Sequence, residues 1–176
     1  WGYNFDWQAR RLFLFPEGTP TIVVTSFCAS ALFDAYEVTG HEEYLSAALS
    51  SADFVLNDLQ RTKKENGFLF SYSPLNGNNT VYNASLLGTK LLSQCYHYTK
   101  NDSYLAAARK SAVACTAAQN NDGSWFYGEL PVQQWIDSFH TSYNLEALLI
   151  YQQMTGDTSF SGSIDKGFDF YLNNFF

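Results

Sequence analysis

The segments "FDAYEVTGHEEYLSAAL", "SQCYHYTKNDSYLAAAR" and "LIYQQMTGDTSFSGSI" are three versions of one pattern: an aromatic residue, a Thr-centred turn, and a restart on Tyr-Leu or Phe. Aligned on Thr39, Thr99 and Thr155, they recur at steps of 60 and 56 residues. A period of that length marks a supersecondary unit that cannot bury its apolar face alone and must stack on its neighbours. The unit here is a helical hairpin plus a long connection.

The two helices of each unit differ in pattern. The first ("IVVTSFCASALFDAYEV", "VYNASLLGTKLLSQCYHY", "FHTSYNLEALLIYQQM") is apolar on nearly every side, as expected of an inner helix buried all round. The second carries one apolar stripe at i, i+3, i+4, i+7 spacing: Leu45, Ala48, Leu49, Ala52, Val55, Leu56 and Leu59 in the first unit, Ile164, Phe168, Tyr171, Leu172 and Phe175 in the third. Such a helix lies outside with a solvent face. Gly40, Asn101 and Gly156 are placed to supply left-handed backbone in the short turns. Pro16, Pro74 and Pro131 recur before the next inner helix, in the long connections. An inner ring inside an amphipathic outer ring predicts one all-α domain over residues 1–176, an α/α toroid or an arc of one with three hairpins.

Composition bounds the function. The chain is 46% hydrophobic and 18% aromatic, which excludes a disordered segment. A formal net charge of −7 with no Lys/Arg-rich run argues against a nucleic-acid partner, which needs clustered positive charge. No apolar stretch reaches the roughly 20 residues of a membrane span, and the start "WGYNFDW" is not a signal peptide. A first residue of Trp rather than Met suggests a trimmed piece of something longer. Cys28, Cys95 and Cys115 are an odd set without metal-ligand spacing and read as buried free thiols, so a reducing, cytoplasmic location is the expectation. The sequons at Asn78, Asn83 and Asn101 matter only in a secreted eukaryotic protein.

The hairpin repeat resembles the α/α-toroid superfamilies, which include six-hairpin glycosidases, sugar epimerases, polysaccharide lyases and the terpene-cyclase/prenyltransferase group. Gln119-x-x-x-Gly123-x-Trp125 is similar to the latter half of the QW motif of terpene cyclases. The wider string "DGSWFYGE…WIDSFHTSYNLEAL" resembles a bacterial and archaeal toroid family associated with polysaccharide metabolism and without a settled activity. The resemblance implies a carbohydrate context and a cavity lined at one end of the inner helices. Complete rings of this kind have more than three hairpins, which implies either missing hairpins or self-association.

"NNDGSWFYGE", Asn120 to Glu129, is the richest local stretch, and "ENGFLFSY" occupies its place one unit earlier. Asp122-Gly123 and Asn66-Gly67 are turn dipeptides expected to carry a positive φ at Gly. Trp125 either staples neighbouring hairpins or stacks on a ligand, with Tyr127 beside it. The position that is Val24 in the first unit and Ala84 in the second is His140 in the third. Near it lie Glu129, Trp135 and Asp137. Aromatic faces take the C–H surface of a pyranose, and carboxylates and amides bond its hydroxyls. Glu129 and Asp137 are candidates for the carboxyl pair of a glycosidase. His140 is the candidate base for epimerisation or β-elimination. The bland alternatives are an N-cap for Asp137, a solvated Glu129 and a structural His140. Tyr82, Asn83, Tyr143 and Asn144 fall near inner-helix starts and would line the cavity. Arg10 and Arg11 either bind an acidic sugar or face solvent.

No phosphate loop, dinucleotide fingerprint, HExxH or DxDD run is present, so no cofactor, metal or terpene-cyclase proton donor is expected. The expected ligand is a carbohydrate or other small polar molecule, turned over by a hydrolase, lyase or epimerase. The competing readings are a non-catalytic helical scaffold for a glycan or protein, and an isoprenoid binder with a dry cavity.

Overall fold

The computed structural model describes residues 1–9 and 12–176. Three helical hairpins follow one another: α1 (Ile22–Thr39) with α2 (Glu42–Asp53), α3 (Tyr82–Thr99) with α4 (Asp102–Ala117), and α5 (Ser138–Thr155) with α6 (Ser161–Phe175). The first helix of each is 18 residues long and ends on the repeated Thr. That Thr is a stop signal with a mechanism. Its hydroxyl donates to the carbonyl four residues back, Ala35 at 2.7 Å, Cys95 at 2.8 Å and Tyr151 at 2.7 Å. It then accepts from the N–H two residues on, that of His41, Asn101 or Asp157.

The next residue turns the chain in left-handed backbone: Gly40 at φ 69°, Lys100 at φ 55° and Gly156 at φ 75°. In the second unit Lys100, not Asn101, takes that conformation, because the position is counted from Thr99. Asn101 instead caps α4, its Oδ1 accepting from the Ser103 N–H at 3.0 Å.

The connections hold two short antiparallel hairpins, β1 (Trp7–Ala9) with β2 (Phe13–Phe15) and β3 (Arg61–Lys64) with β4 (Gly67–Phe70). α2 runs on into a π-helical turn over Phe54–Asp58, and a 3-10 turn spans Pro131–Gln133. Each connection ties back to the preceding inner helix: the Ile22 N–H donates to the Tyr72 carbonyl at 2.9 Å and that of Tyr82 to the Tyr127 carbonyl at 3.1 Å.

Burial separates the inner helices. α3 packs between α1 and α5 and is buried from Tyr82 through Cys95. α1 and α5 have an inner neighbour on one side alone, so each keeps an exposed face, with Phe27 39%, Val38 86% and Phe139 60% exposed. All-round burial is thus a property of the central helix. α1 has the length and mean hydropathy of a membrane span, 1.3 over 18 residues, yet it packs against α2 and α3 as a member of the helical layer. Burial pushes the Cys95 and Cys115 thiols up to about 12, so both are inert, while Cys28 is half-buried. Asn78 and Asn83 are 2% and 5% exposed, so two of the three sequons are closed to modification.

"NNDGSWFYGE" begins as architecture. Asp122 Oδ1 accepts from the Ser124 N–H and hydroxyl, and Gly123 follows at φ 92°. A Cβ on Gly123 would collide with the Lys166 carbonyl of α6, as one on Gly67 would with the Lys110 carbonyl of α4. These are equivalent contacts of connection on outer helix. Gly67 opens β4 without a positive φ, so close approach alone demands glycine there. Trp125 is 2% exposed, its Nε1 donating to the Cys115 carbonyl at 3.0 Å and its ring filling the space above Gly167. Gln119 Nε2 donates to the Gly123 and Ser163 carbonyls, both at 2.9 Å, and sews the loop to the start of α6.

Gly123→Ala combines backbone strain with a steric clash and is expected to cost about 2–4 kcal/mol in urea unfolding. Asp157, in the α5–α6 turn, gives a pH-dependent contribution. Burial raises its pKa, but hydrogen bonds from Ser159, Tyr151 and Arg109 outweigh that and hold it at about 2. Its folded value lies below the ordinary 3.8, so its contribution is present above about pH 4 and disappears as pH falls towards 2. Urea midpoints of Asp157→Asn should therefore fall below wild type at pH 6 and converge with it near pH 2.

Candidate functional site

The start of α5 builds the chemical centre. Asp137 has extended backbone and caps the helix, Oδ1 accepting from the His140 N–H at 2.8 Å. His140 is the third residue of the helix, so its ring folds back over the cap, with Nδ1 2.9 Å and 2.8 Å from the two Asp137 oxygens. Trp135 Nε1 adds a third donor at 3.1 Å. The capping reading and the functional reading of Asp137 are therefore one geometry.

Burial acts to raise the Asp137 pKa, but the His140 N–H, the His140 ring and the Trp135 indole outweigh it and hold the carboxyl below its ordinary value. Ionised at neutral pH, it accepts and cannot act as a general acid. It accepts from hydrogen on Nδ1, which in the neutral imidazole places the lone pair on Nε2. Nε2 has no hydrogen-bond partner among the described residues. Tyr127 packs edge-on against the imidazole with ring centroids 4.6 Å apart, and itself stacks on Trp135 at 4.4 Å and 14°.

His140 lines an open cleft of about 400 Å³ at the N-terminal end of the inner helices. Each inner helix contributes the same two positions, one turn apart: Val23, Asn83 and Phe139, then Phe27, Leu87 and Tyr143. The connections close the sides with Trp7, Tyr72, Tyr127 and Trp135. In this apolar floor Asn83 is the exception. It is 5% exposed, and its Oδ1 is buried without a hydrogen-bond partner.

The structure thus gathers Asn83, Tyr127, Trp135, His140 and Tyr143 in the cleft with Asp137 behind them, and removes four expected residues from it. Trp125 belongs to the core, as its burial shows. Glu129 pairs with Lys64 at 2.5 Å on a separate pocket, so it and Asp137 do not face one space as a glycosidase pair. Tyr82 and Asn144 lie one residue from Asn83 and Tyr143, a rotation of about 100° that carries them out of the lining. Tyr82 turns towards Glu129, and burial, with that carboxylate next in weight, pushes its hydroxyl up to about 12. Arg10 and Arg11 lie outside the described residues. Trp7, Phe27, Tyr72 and Phe139 were missed by sequence reasoning. The signal for Phe27 and Phe139 was distance from the repeated Thr: Phe27 precedes Thr39 by the same 12 residues that separate Tyr143 from Thr155, and Phe139 precedes Thr155 by the same 16 that separate Asn83 from Thr99.

Trp125→Ala should cost about 3–5 kcal/mol, the range for emptying a large core site, whereas Trp135→Ala on the cleft wall should cost less than half as much. Thermal unfolding of the two variants checks this ordering.

No family model and no curated protein matches the chain. Solved structures match it in fold. An inactive α-1,6-mannanase of family GH76 from a Salegentibacter species, in complex with α-1,6-mannotriose, has a TM-score of 0.70 at 14% identity, covering 88% of this chain and 47% of that one. A GH76 α-mannanase from Bacteroides thetaiotaomicron has 0.67 at 17%, covering 85% and 43%. A possible GH105 member from Salmonella enterica has 0.69 at 12%, covering 89% and 44%. The chain spans less than half the length of these structures, and its three hairpins have the fold of a partial α/α toroid.

Proposed function

We propose that the chain is the glycan-binding arc of a carbohydrate-processing toroid protein, with the aromatic cleft as the sugar site and His140 as the proton-handling group. The observation that carries this is the convergence of an Asp137-oriented imidazole and the unpaired Asn83 amide in a cleft walled by Trp and Tyr rings. Rings stack on the C–H faces of a pyranose, and Asn83 offers a polar partner at the floor where the other two inner helices offer Val and Phe. The similar structures are named as mannanases, a polysaccharide lyase, a family 88 glycosyl hydrolase and a possible member of GH105, which supports carbohydrate as the ligand class.

Among the reactions, proton abstraction by His140 Nε2 fits better than two-carboxylate hydrolysis. Glu129 is neutralised by Lys64 away from the cleft, and Asp137 is consumed by three donors. Lyase or epimerase chemistry is therefore favoured. A dry isoprenoid cavity would not hold a buried, unpaired amide beside a carboxylate-imidazole pair.

The test uses neutral and uronic-acid oligosaccharides, with binding read by Trp fluorescence. Asn83→Leu removes an unpaired buried polar group and should raise stability by about 1–2 kcal/mol while weakening binding at least about tenfold. His140→Ala should bind within a few-fold of wild type and abolish turnover. Saturable binding without turnover in wild type would favour the non-catalytic scaffold. An Asn83→Leu protein that is less stable and binds normally would sink the site assignment.

A further inference from the structure

A second feature lies outside the cleft. Arg61, Lys63, Lys64 and Lys110, four of the chain's ten Lys and Arg residues, line one pocket of about 400 Å³ between β3–β4 and α4. It adjoins a pocket of about 330 Å³ through Arg61, Phe68 and Lys110, and one of about 220 Å³ through Lys64, Glu65 and Asn66. Together they form a groove along the outside of the second connection.

Three observations set this groove apart from ordinary solvated surface. The charge of β3 is not part of the repeat: Lys110 has a counterpart in Lys166, but the stretch 56 residues after Arg61–Lys64 lies in "AAQNND" and holds no cation. Arg61 is held in place without a carboxylate. Its Nη2 donates to the Leu56 carbonyl at 3.0 Å and its guanidinium lies 5.0 Å from the Phe68 ring centroid and 5.8 Å from that of Phe70. Among the described residues Arg61, Lys63 and Lys110 have no ion-pair partner, although the chain as a whole is at −7. A fixed guanidinium flanked by two unpaired ammonium groups is suited to an oxyanion.

We propose that this groove binds an acidic oligosaccharide through its carboxylate or sulfate groups, as a second site remote from His140. Glu65 and the Glu129–Lys64 pair interrupt the positive charge along the groove, which disfavours a continuous polyphosphate and suits anionic groups set on a neutral sugar backbone. The carbohydrate part of the assignment rests on the reading of the cleft; the oxyanion part does not.

Oligogalacturonate titrated into the ¹⁵N-labelled chain should give saturable amide shifts in β3 and α4. Binding at those amides should weaken about tenfold in the double variant Lys63→Glu/Lys110→Glu, and weaken with added salt. Asn83→Leu should leave this site unchanged even if the cleft binds nothing, so the two readings fail separately. Absence of shifts in β3 and α4, or unchanged binding in the charge-reversed variant, would overturn the groove. Equal affinity for inorganic sulfate, or tighter binding of a single-stranded oligonucleotide, would overturn the assignment to a glycan.

Discussion

The site depends on a backbone hydrogen bond made twice: the first N–H of an inner helix donates to a carbonyl in the connection that follows its hairpin, Ile22 to Tyr72 and Tyr82 to Tyr127. Helix-start N–H groups need partners from outside the helix, and here the next unit supplies them. The connection is thereby pinned across the end of the inner helices, and the aromatic side chains of the acceptor residues become walls of the cleft. Val81 and Gly128 reinforce the second tie as an isolated β-bridge. Repeat packing and site construction are the same contact.

Around that contact the energetics are uneven. α3 is enclosed on both flanks and even buries Lys90, whose Nζ reaches Glu146 of α5 at 2.8 Å while its side chain is 5% exposed. A buried charge needs such a partner, so the pair specifies how α3 and α5 align more than it adds stability. α1 and α5 have no such enclosure. Their exposed aromatic residues, Phe27 and Phe139, both pack edge-on against Tyr143 in the cleft lining, with ring centroids 5.3 and 4.6 Å from it.

The chemistry of the cleft follows from a local coincidence. An Asp at the N-cap and a His three residues on place a carboxylate against an imidazole with no long-range help, and Trp135 and Tyr127 then fix both groups. The equivalent starts hold Thr21 with Val24 and Val81 with Ala84, which can build a helix end and no carboxylate-imidazole pair. One unit of three carries the carboxylate-imidazole pair, and the break in the repeat marks it.

The sequence by itself determined the number of hairpins, the Thr-marked turn that follows each inner helix, the alternation of inner and outer helices and the unusual character of His140. All of these are local: a Thr hydroxyl, a left-handed turn and a 3.6-residue period act within a few residues of their own position. Tertiary structure alone decided which side chains share a space. Helix phase separated Asn83 from Tyr82 and Tyr143 from Asn144, a difference of one residue that a loosely aligned repeat does not resolve. Lys64, more than 60 residues away in the chain, drew Glu129 out of the site, and outer helix α6 turned Trp125 into core. Those outcomes depend on contacts between distant segments, and no spacing within one segment records them.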